Sequence, residues 1–414
     1  MPKWLLCLAA ASSAAFAAGP DGPRLERLAA FELPEDVATA SDLRWREDGV
    51  LLLAVDGHGV YSWQVGADRA ELLVTLAGSP LGGFGRNQNY SRLGGFSAGA
   101  LAFSGFASGV LRHDEGGFSY SKAVSLVGDV DRRHARTAVV GVHRGEDGVW
   151  EDRLAWLISD DGTVRGLLPR RTESSRWGLV QRLGVVRILS KDRVLVVPGV
   201  EPGVFLYDGG GRLLDALDTE AFFAESPWRI TPEQDRLLLE RTWFAAWLSQ
   251  HRVIDEVVAD HRGNVFFFVR HVAKELAYPE DVFLDPRGEV SGSVTSQMLD
   301  LFEKAGVELE SGAGRERVEI TDPELVAAAL RIKEPERAEQ FARVCWDLVH
   351  VRVDQLRAAT KADCVVETEL ADRRLRADLR GARAAILLQG NTYRPAGQVR
   401  PAEVFEARLV SPSP

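Results

Sequence analysis

Gly203-Val204-Phe205-Leu206-Tyr207-Asp208-Gly209-Gly210-Gly211-Arg212-Leu213-Leu214-Asp215-Ala216-Leu217 is a pair of short apolar runs around an aspartate-glycine turn. Aromatic and β-branched residues fit a pleated, half-buried surface, and Asp and Gly supply the backbone conformations of a tight reversal, so the stretch predicts a β-hairpin. The form recurs. Leu154-Ala155-Trp156-Leu157-Ile158-Ser159 turns at Asp160-Asp161-Gly162 into Thr163 through Leu168. Asp281-Val282-Phe283-Leu284-Asp285 turns at Pro286-Arg287-Gly288 into Glu289 through Val294. Gly109-Val110-Leu111-Arg112 turns at Gly116-Gly117 into Phe118 through Val124, and Gly59-Val60-Tyr61-Ser62-Trp63 turns near Ala67-Asp68 into Glu71 through Leu76.

The spacing turns hairpins into an architecture. Gly117 to Gly162 is 45 residues and Gly162 to Gly211 is 49. The 77 residues from Gly211 to Gly288 include a helix-like insertion of roughly 30, which restores the step. A period of 40 to 50 residues with several strands per unit is that of β-propeller blades, which stack around an axis because one four-stranded sheet cannot bury both its faces alone.

A second recurrence marks the end of the ring. Ala259-Asp260-His261-Arg262-Gly263 leads into the apolar run Asn264 through Val269, and Ala377-Asp378-Leu379-Arg380-Gly381 leads toward Ala384 through Leu388, with Glu403 through Val410 as a further strand. The last blade then has three strands from the C-terminal part, and Arg24 to Leu33 is expected as its outer strand, closing the ring and removing an exposed sheet edge. Five hairpin blades and this composite one make six. Seven stays open, because Trp346 to Val353 and Cys364 to Leu370 also read as strands of an extra, degenerate unit.

The pattern resembles the six-bladed propellers of the NHL-like class, in which a strand ending near Asp-x-x-Gly leads into an apolar strand. Val257-Val258-Ala259-Asp260-His261-Arg262-Gly263-Asn264-Val265 carries the resemblance most fully, while Tyr90 to Gly109, rich in glycine and serine, departs from it. What the resemblance implies is a fold; it names no activity.

Two stretches, about 220–251 and 296–345, break the rhythm and are expected as helical insertions. Thr231-Pro232-Glu233-Gln234 has a capping threonine, proline at the first helical position and glutamine three residues after the cap. The second stretch includes Gln297 to Ala305 and a helix start at Thr321-Asp322-Pro323-Glu324. Both are placed between the last strand of one blade and the first of the next, which puts them on one face.

The remaining composition narrows the classes of function. The chain has 414 residues, 45% hydrophobic and 27% charged, as in globular proteins. A net charge of −10 argues against a nucleic-acid partner, whose backbone needs a concentrated basic face; Arg132-Arg133-His134 and Arg170-Arg171 read as solvated surface. Lys3, the apolar run Trp4 through Ala17 and the small-x-small site Ala15-Phe16-Ala17 read as a signal peptide over 1–18, leaving 24–414 as the propeller domain in the periplasm or outside the cell. Cys7 follows Trp4-Leu5-Leu6, without the small residue expected before a lipidated cysteine, and no later segment reads as a membrane span. Cys345 and Cys364 are left, either bridged or as buried thiols.

No motif predicts catalysis, a cofactor or a metal. Gly95-Phe96-Ser97-Ala98-Gly99 has the letters of a nucleophile elbow, but a polar run precedes it and no helical pattern follows. Ser119 and Lys122 in Ser119-Tyr120-Ser121-Lys122 would alternate to opposite faces of an outer strand. His134 and His143 near Asp129, Asp131 and Glu146 are acceptable ligand types without ligand spacing, and the turns at Asp160-Asp161-Gly162 and Asp208-Gly209 lack the alternating set of a calcium loop. Candidate binding residues come from the blade junctions: Arg86, Asn87, Gln88, Asn89 and Tyr90, then Asp129, Asp131 and Arg132, then Arg176 and Trp177, groups that donate and accept hydrogen bonds beside aromatic surface. The expectation is an exported, non-catalytic propeller holding a protein partner or polar ligand on a helix-capped face. The alternatives are a metal-dependent propeller hydrolase or lactonase and a structural subunit of an envelope complex.

Overall fold

The computed structural model describes residues 22–55, 58–75, 92–104, 109–121, 124–143, 152–169, 184–198, 203–217, 252–260, 262–272, 304, 344–368, 374–389 and 401–412. They form six antiparallel four-stranded sheets. β1 (Arg24–Phe31) comes first and is placed last in the ring. Blade one is β2 (Ala40–Trp45), β3 (Leu51–Val55), β4 (Gly59–Trp63) and β5 (Glu71–Thr75). Blade two is β6 (Arg92–Ser97), β7 (Ala100–Ser104), β8 (Val110–Asp114) and β9 (Gly117–Ser121). Blade three is β10 (Val124–Arg133), β11 (Arg136–His143), β12 (Ala155–Ser159) and β13 (Val164–Gly166). Blade four is β14 (Val185–Ser190), β15 (Arg193–Val197), β16 (Val204–Asp208) and β17 (Leu213–Leu217). Blade five is β18 (Val253–Ala259), β19 (Asn264–Val272), β20 (Val344–Arg352) and β21 (Gln355–Thr368). Blade six is β22 (Leu375–Arg380), β23 (Arg383–Leu388) and β24 (Glu403–Val410), completed by β1.

The first strands of the blades form the inner ring, each touching the inner strand on either side, with β22 returning to β2. β1 closes it by pairing with β24 from Arg24↔Val410 to Phe31↔Val404, as the sequence reading expects. Glu26 Oε2 lies 3.6 Å from Arg408 Nη1 and Arg27 covers the Phe405 ring at 4.6 Å, while Phe31 meets the blade-one Trp63 edge-on at 6.2 Å.

Alternation along each strand explains the core. Leu51, Leu53 and Val55 of β3 pack toward blade six, whereas Leu52 and Ala54 pack toward blade two. Phe267 of β19 faces blade four, and Phe266 and Phe268 face blade six. An apolar cluster fills each of the six blade interfaces in this way. The second strands are therefore buried on both faces and read as unbroken apolar runs, and the outer strands β5 and β17 are largely exposed.

The structure corrects three expectations. The third and fourth strands of blade five are β20 and β21, not Asp281 to Val294, which lies outside the described residues; β19 pairs with β20 from Asn264↔Arg352 to Val272↔Val344. The strands held open for a seventh unit thereby complete the fifth blade, and the ring has six. The 273–343 stretch joins the second and third strands of blade five, so it does not run between blades. Among the described residues no α-helical segment is delimited, so helical insertions are not borne out; 220–251 and 296–343 lie outside them apart from Lys304, and Val344 and Cys345 begin β20.

Hairpin turns behave as their chemistry dictates. Asp208 Oδ1 accepts hydrogen bonds from the Gly210 and Arg212 amides and Asp161 Oδ1 accepts one from Thr163, so the apparent calcium loops are Asx turns. The elbow-like serine also resolves: Ser97 ends β6, and Ala98 (φ 51°) and Gly99 (φ 72°) turn the chain directly into β7. The β10–β11 turn has the same left-handed pair without any glycine, at His134 (φ 53°) and Ala135 (φ 56°). Ala135→Gly is expected to raise the free energy of unfolding by about 0.5–1 kcal/mol, because relief of roughly 1–2 kcal/mol of left-handed strain in the turn exceeds the roughly 0.5–1 kcal/mol of added freedom in the unfolded chain. Urea titration of the two proteins checks this, and an unchanged or lower midpoint would count against the turn assignment.

Candidate functional site

An inner strand presents N–H and C=O groups that its own sheet cannot pair, and in this protein charged side chains serve them across every blade junction. Asp42 Oδ2 accepts the Leu93 amide of the next blade at 2.9 Å, and Asp129 and Asp131 accept Val186 and Ile188 at 3.0 and 2.6 Å. Asp255 accepts Leu375 at 2.8 Å, and Asp378 accepts Trp45 at 2.7 Å across the closing junction. Arginines serve the carbonyls: Arg92 Nε donates to Gly128 O (3.1 Å), Arg187 Nε to Val257 O (2.8 Å), Arg376 Nη1 to Asp255 O (3.1 Å) and Arg44 Nη1 to Ala377 O (3.4 Å). The fold thus requires charges inside strands that are otherwise apolar.

At the centre Arg187 of blade four joins Asp129 of blade three to Glu256 of blade five by two short charge-assisted bonds, all three side chains being buried. Burial opposes the Arg187 charge, but the Asp129 and Glu256 carboxylates outweigh it and hold the guanidinium pKa above its ordinary value. Burial likewise works against ionised Asp129, yet Arg187, Arg92 and Arg44 keep its carboxyl below the usual range. Burial and the neighbouring Arg92 push Arg376 down to about 10, so it still carries its charge at neutral pH. Nearer the hairpin turns, Arg133 Nη2 lies 3.5 Å from Asp378 Oδ1 and its Nε 3.6 Å from Asp131 Oδ2. Blades three and six are opposite in a ring of six, so this side chain crosses the axis.

Of the sequence-predicted site residues, Asp129, Asp131 and Arg132 lie on inner strand β10, buried, and not in a junction loop. Asp129 and Asp131 are committed to the β14 backbone as above. Arg132 grips Asp160 with both terminal nitrogens (2.8 and 3.0 Å) and donates to Thr137 Oγ1, tying β10 to the β12–β13 turn. Arg86, Asn87, Gln88, Asn89, Tyr90, Arg176 and Trp177 lie outside the described residues. The sequence reading missed Arg44, Arg92, Arg187, Glu256 and Arg376. Their signal is a charge set in an apolar run, as in Val185-Val186-Arg187-Ile188-Leu189.

A second polar cluster lies in blade five. Cys345 and Cys364 are disulfide-bonded with Cα atoms 5.0 Å apart, resolving the alternatives that the sequence leaves open. Buried Asp347 accepts the Cys364 amide at 2.9 Å, binds Arg252 and lies 3.2 Å from Lys361 Nζ and 3.6 Å from His271 Nδ1. His143, a candidate ligand by residue type, packs against the Trp156 ring with centroids 4.8 Å apart and planes tilted by 41°.

These groups set an acid response. Burial lowers the pKa of His350, which meets Asn264 Oδ1 at 3.0 Å, and burial also lowers that of His271. A depressed histidine contributes stability above its unfolded value of about 6.5 that is lost as pH falls toward its folded value. Asp129 and Asp255 are held down by arginines against burial, so their contribution is lost below about 4. The free energy of unfolding is therefore expected to decline first below about pH 6.5 and again below about pH 4. Urea titrations across that range check it; a flat response from pH 7 to 5, or an unchanged slope there in His350→Gln, contradicts the histidine part.

No family model matches the chain, and no curated protein does. Solved structures do. A member of the DUF4221 family from Bacteroides vulgatus aligns over 95% of this chain and 100% of its own at 8% identity, with a TM-score of 0.53. A streptogramin B lyase aligns over 94% and 98% at 10% identity with a TM-score of 0.41. The PQQ-bound aldose sugar dehydrogenase of Streptomyces coelicolor aligns over 95% and 100% at 9% with a TM-score of 0.36. At 8% identity the likeness to the Bacteroides vulgatus protein speaks for fold alone. The protein is a six-bladed β-propeller, with its ring closed by strands from the two ends of the described chain.

Proposed function

We propose that this protein is an exported, non-catalytic binding propeller that holds a protein partner or polar ligand on one face of the ring. The observation behind this is topological. The strands flanking 76–91, 170–183, 218–251 and 273–343 bring both ends of all four connections to the same rim, whereas the opposite face is made of short hairpin turns. The first two connections contain Arg86 to Tyr90 and Arg176-Trp177, whose mix of amide, guanidinium and aromatic groups suits recognition of polar surfaces. Export draws support from Lys3 and the apolar run before Ala15-Phe16-Ala17, and a bridged cysteine pair suits an oxidising compartment.

Affinity capture from an envelope extract, with metal analysis of the purified protein, tests this reading. Arg86→Ala/Asn87→Ala/Tyr90→Ala and Arg176→Ala/Trp177→Ala are expected to weaken capture about tenfold or more, and Arg165→Ala on the hairpin face to leave it unchanged. Capture that survives both rim variants, or no partner together with stoichiometric metal, would sink it.

A further inference from the structure

Blades six and one meet on the hairpin face around a cleft of about 310 Å³. The Trp45 ring and Val65 give it an apolar side, and Gln64, Arg380, Arg383 and Glu406 a polar one. The β2–β3 turn, the residues after β4, and the β22–β23 hairpin with its neighbour β24 bring these groups together. Ligand sites commonly run from about 300 to 1,000 Å³, so this one has room for a single ring.

The charges around the cleft are not all answered. Arg380 and Arg383 are direct cross-strand partners and Arg383 is also opposite Arg408, so three guanidiniums form one row across blade six. Like charges placed directly opposite destabilise a sheet. Arg408 has Glu26 at 3.6 Å and Arg383 has Glu406 at 3.2 Å, while on the adjacent turn Arg46 grips Asp48 with two nitrogens. Arg380 has no carboxylate partner among the described residues; its Nη2 donates to the Glu47 carbonyl at 3.2 Å and its Cζ lies 6.0 Å from the centre of the Trp45 ring. The guanidinium is nonetheless given a place: a Cβ at Gly49 would strike Arg380 Nη1, and the glycine turn (φ 88°) leaves it room. Trp45 Nε1 is a further donor, buried without a hydrogen-bond partner among the described residues.

These unmet needs define a guest. Arg380 and Arg383 call for an anion. Glu406 accepts hydrogen bonds and Gln64 both accepts and donates them, which suits hydroxyl groups. Trp45 and Val65 offer an apolar surface to the C–H face of a ring. An aromatic carboxylate leaves Glu406 and Gln64 unserved, a neutral sugar leaves Arg380 so, and a phosphate dianion sets a double negative charge beside Glu406. We infer that the cleft binds a sugar acid of the hexuronate class, its ring on Trp45 and its carboxylate on Arg380 and Arg383. The cleft lies on the face opposite the connection rim, so this site stands whether or not the proposed function holds.

Titration of the full protein with D-glucuronate tests the inference, followed by calorimetry and by the Trp45 indole N–H resonance, which is assigned by its loss in Trp45→Phe. One-to-one binding with a shift of that resonance is expected, and D-glucose and benzoate are each expected to bind about tenfold more weakly or worse. Arg380→Gln removes an exposed charge and is expected to weaken glucuronate binding about tenfold. Methyl β-D-glucuronide separates two sources of the same chemistry: it binds as well as the free acid if the guest is the end of an acidic polysaccharide, and less well if the guest is the monosaccharide. No binding of glucuronate, glucose or benzoate binding equal to it, or unchanged affinity in Arg380→Gln overturns the inference. None of these results bears on partner capture by the rim.

Discussion

Arg187→Leu is expected to lower the free energy of unfolding by about 3–5 kcal/mol, the cost of leaving a buried charge without its partner. The arginine serves two buried carboxylates, Asp129 and Glu256, and also the Val257 carbonyl, so its loss strands groups in the blades on either side of it. Stability of a domain is commonly about 5–15 kcal/mol, so the change removes a large share of it. Replacing the whole set by neutral groups, as Asp129→Asn/Arg187→Leu/Glu256→Gln, is expected to recover much of the loss, because the penalty lies in the unpaired charge more than in the missing attraction. Urea unfolding of the single and triple variants measures both. A loss below about 1 kcal/mol in Arg187→Leu would place the side chain in contact with solvent and against this description.

Removing the disulfide is the second large effect. Cys345 is the second residue of β20, and Cys364 sits where the β20–β21 register shifts between Trp346↔Val366 and Leu348↔Ala362, with a left-handed φ of 45°. The bulge and the Asp347 bond to the Cys364 amide hold the two cysteines together at the end of the blade from which the 273–343 connection leaves. The bond closes a loop with a sequence separation of 19, and chain entropy assigns such a loop roughly 3 kcal/mol. Cys345→Ser/Cys364→Ser is expected to lose that amount, and dithiothreitol to bring the wild-type protein to the same midpoint. If reductant leaves wild-type unfolding unchanged, the two sulfurs are not joined.

Most of the ring was legible because a blade repeats its local chemistry. The Asp208-to-Arg212 and Asp160-to-Thr163 turns fall between strands whose alternation feeds two neighbouring interfaces, so hairpin and period carry the same information. Ring closure was legible for a different reason, since a C-terminal blade short of one strand needs Arg24 to Phe31. Blade five misled because its second and third strands are separated by residues 273–343, and its last turn, at Val353-Asp354, has no glycine. Asp285-Pro286-Arg287-Gly288 has better turn residues and drew the assignment. The axial groups were hidden by a general rule, that charges mark loops. Asp129, Asp131 and Arg187 break it because an inner strand's unpaired amides and carbonyls need polar partners.

The most direct test is a cross-link between the ends of the ring. Glu26 and Arg408 are paired in the β1–β24 register and roughly half exposed, so Glu26→Cys/Arg408→Cys adds thiols without disturbing the core. Mild oxidation, or a short bifunctional maleimide, is expected to join them within one molecule and slow its unfolding. Links that form between molecules alone, or none, would show an open ring and contradict the account.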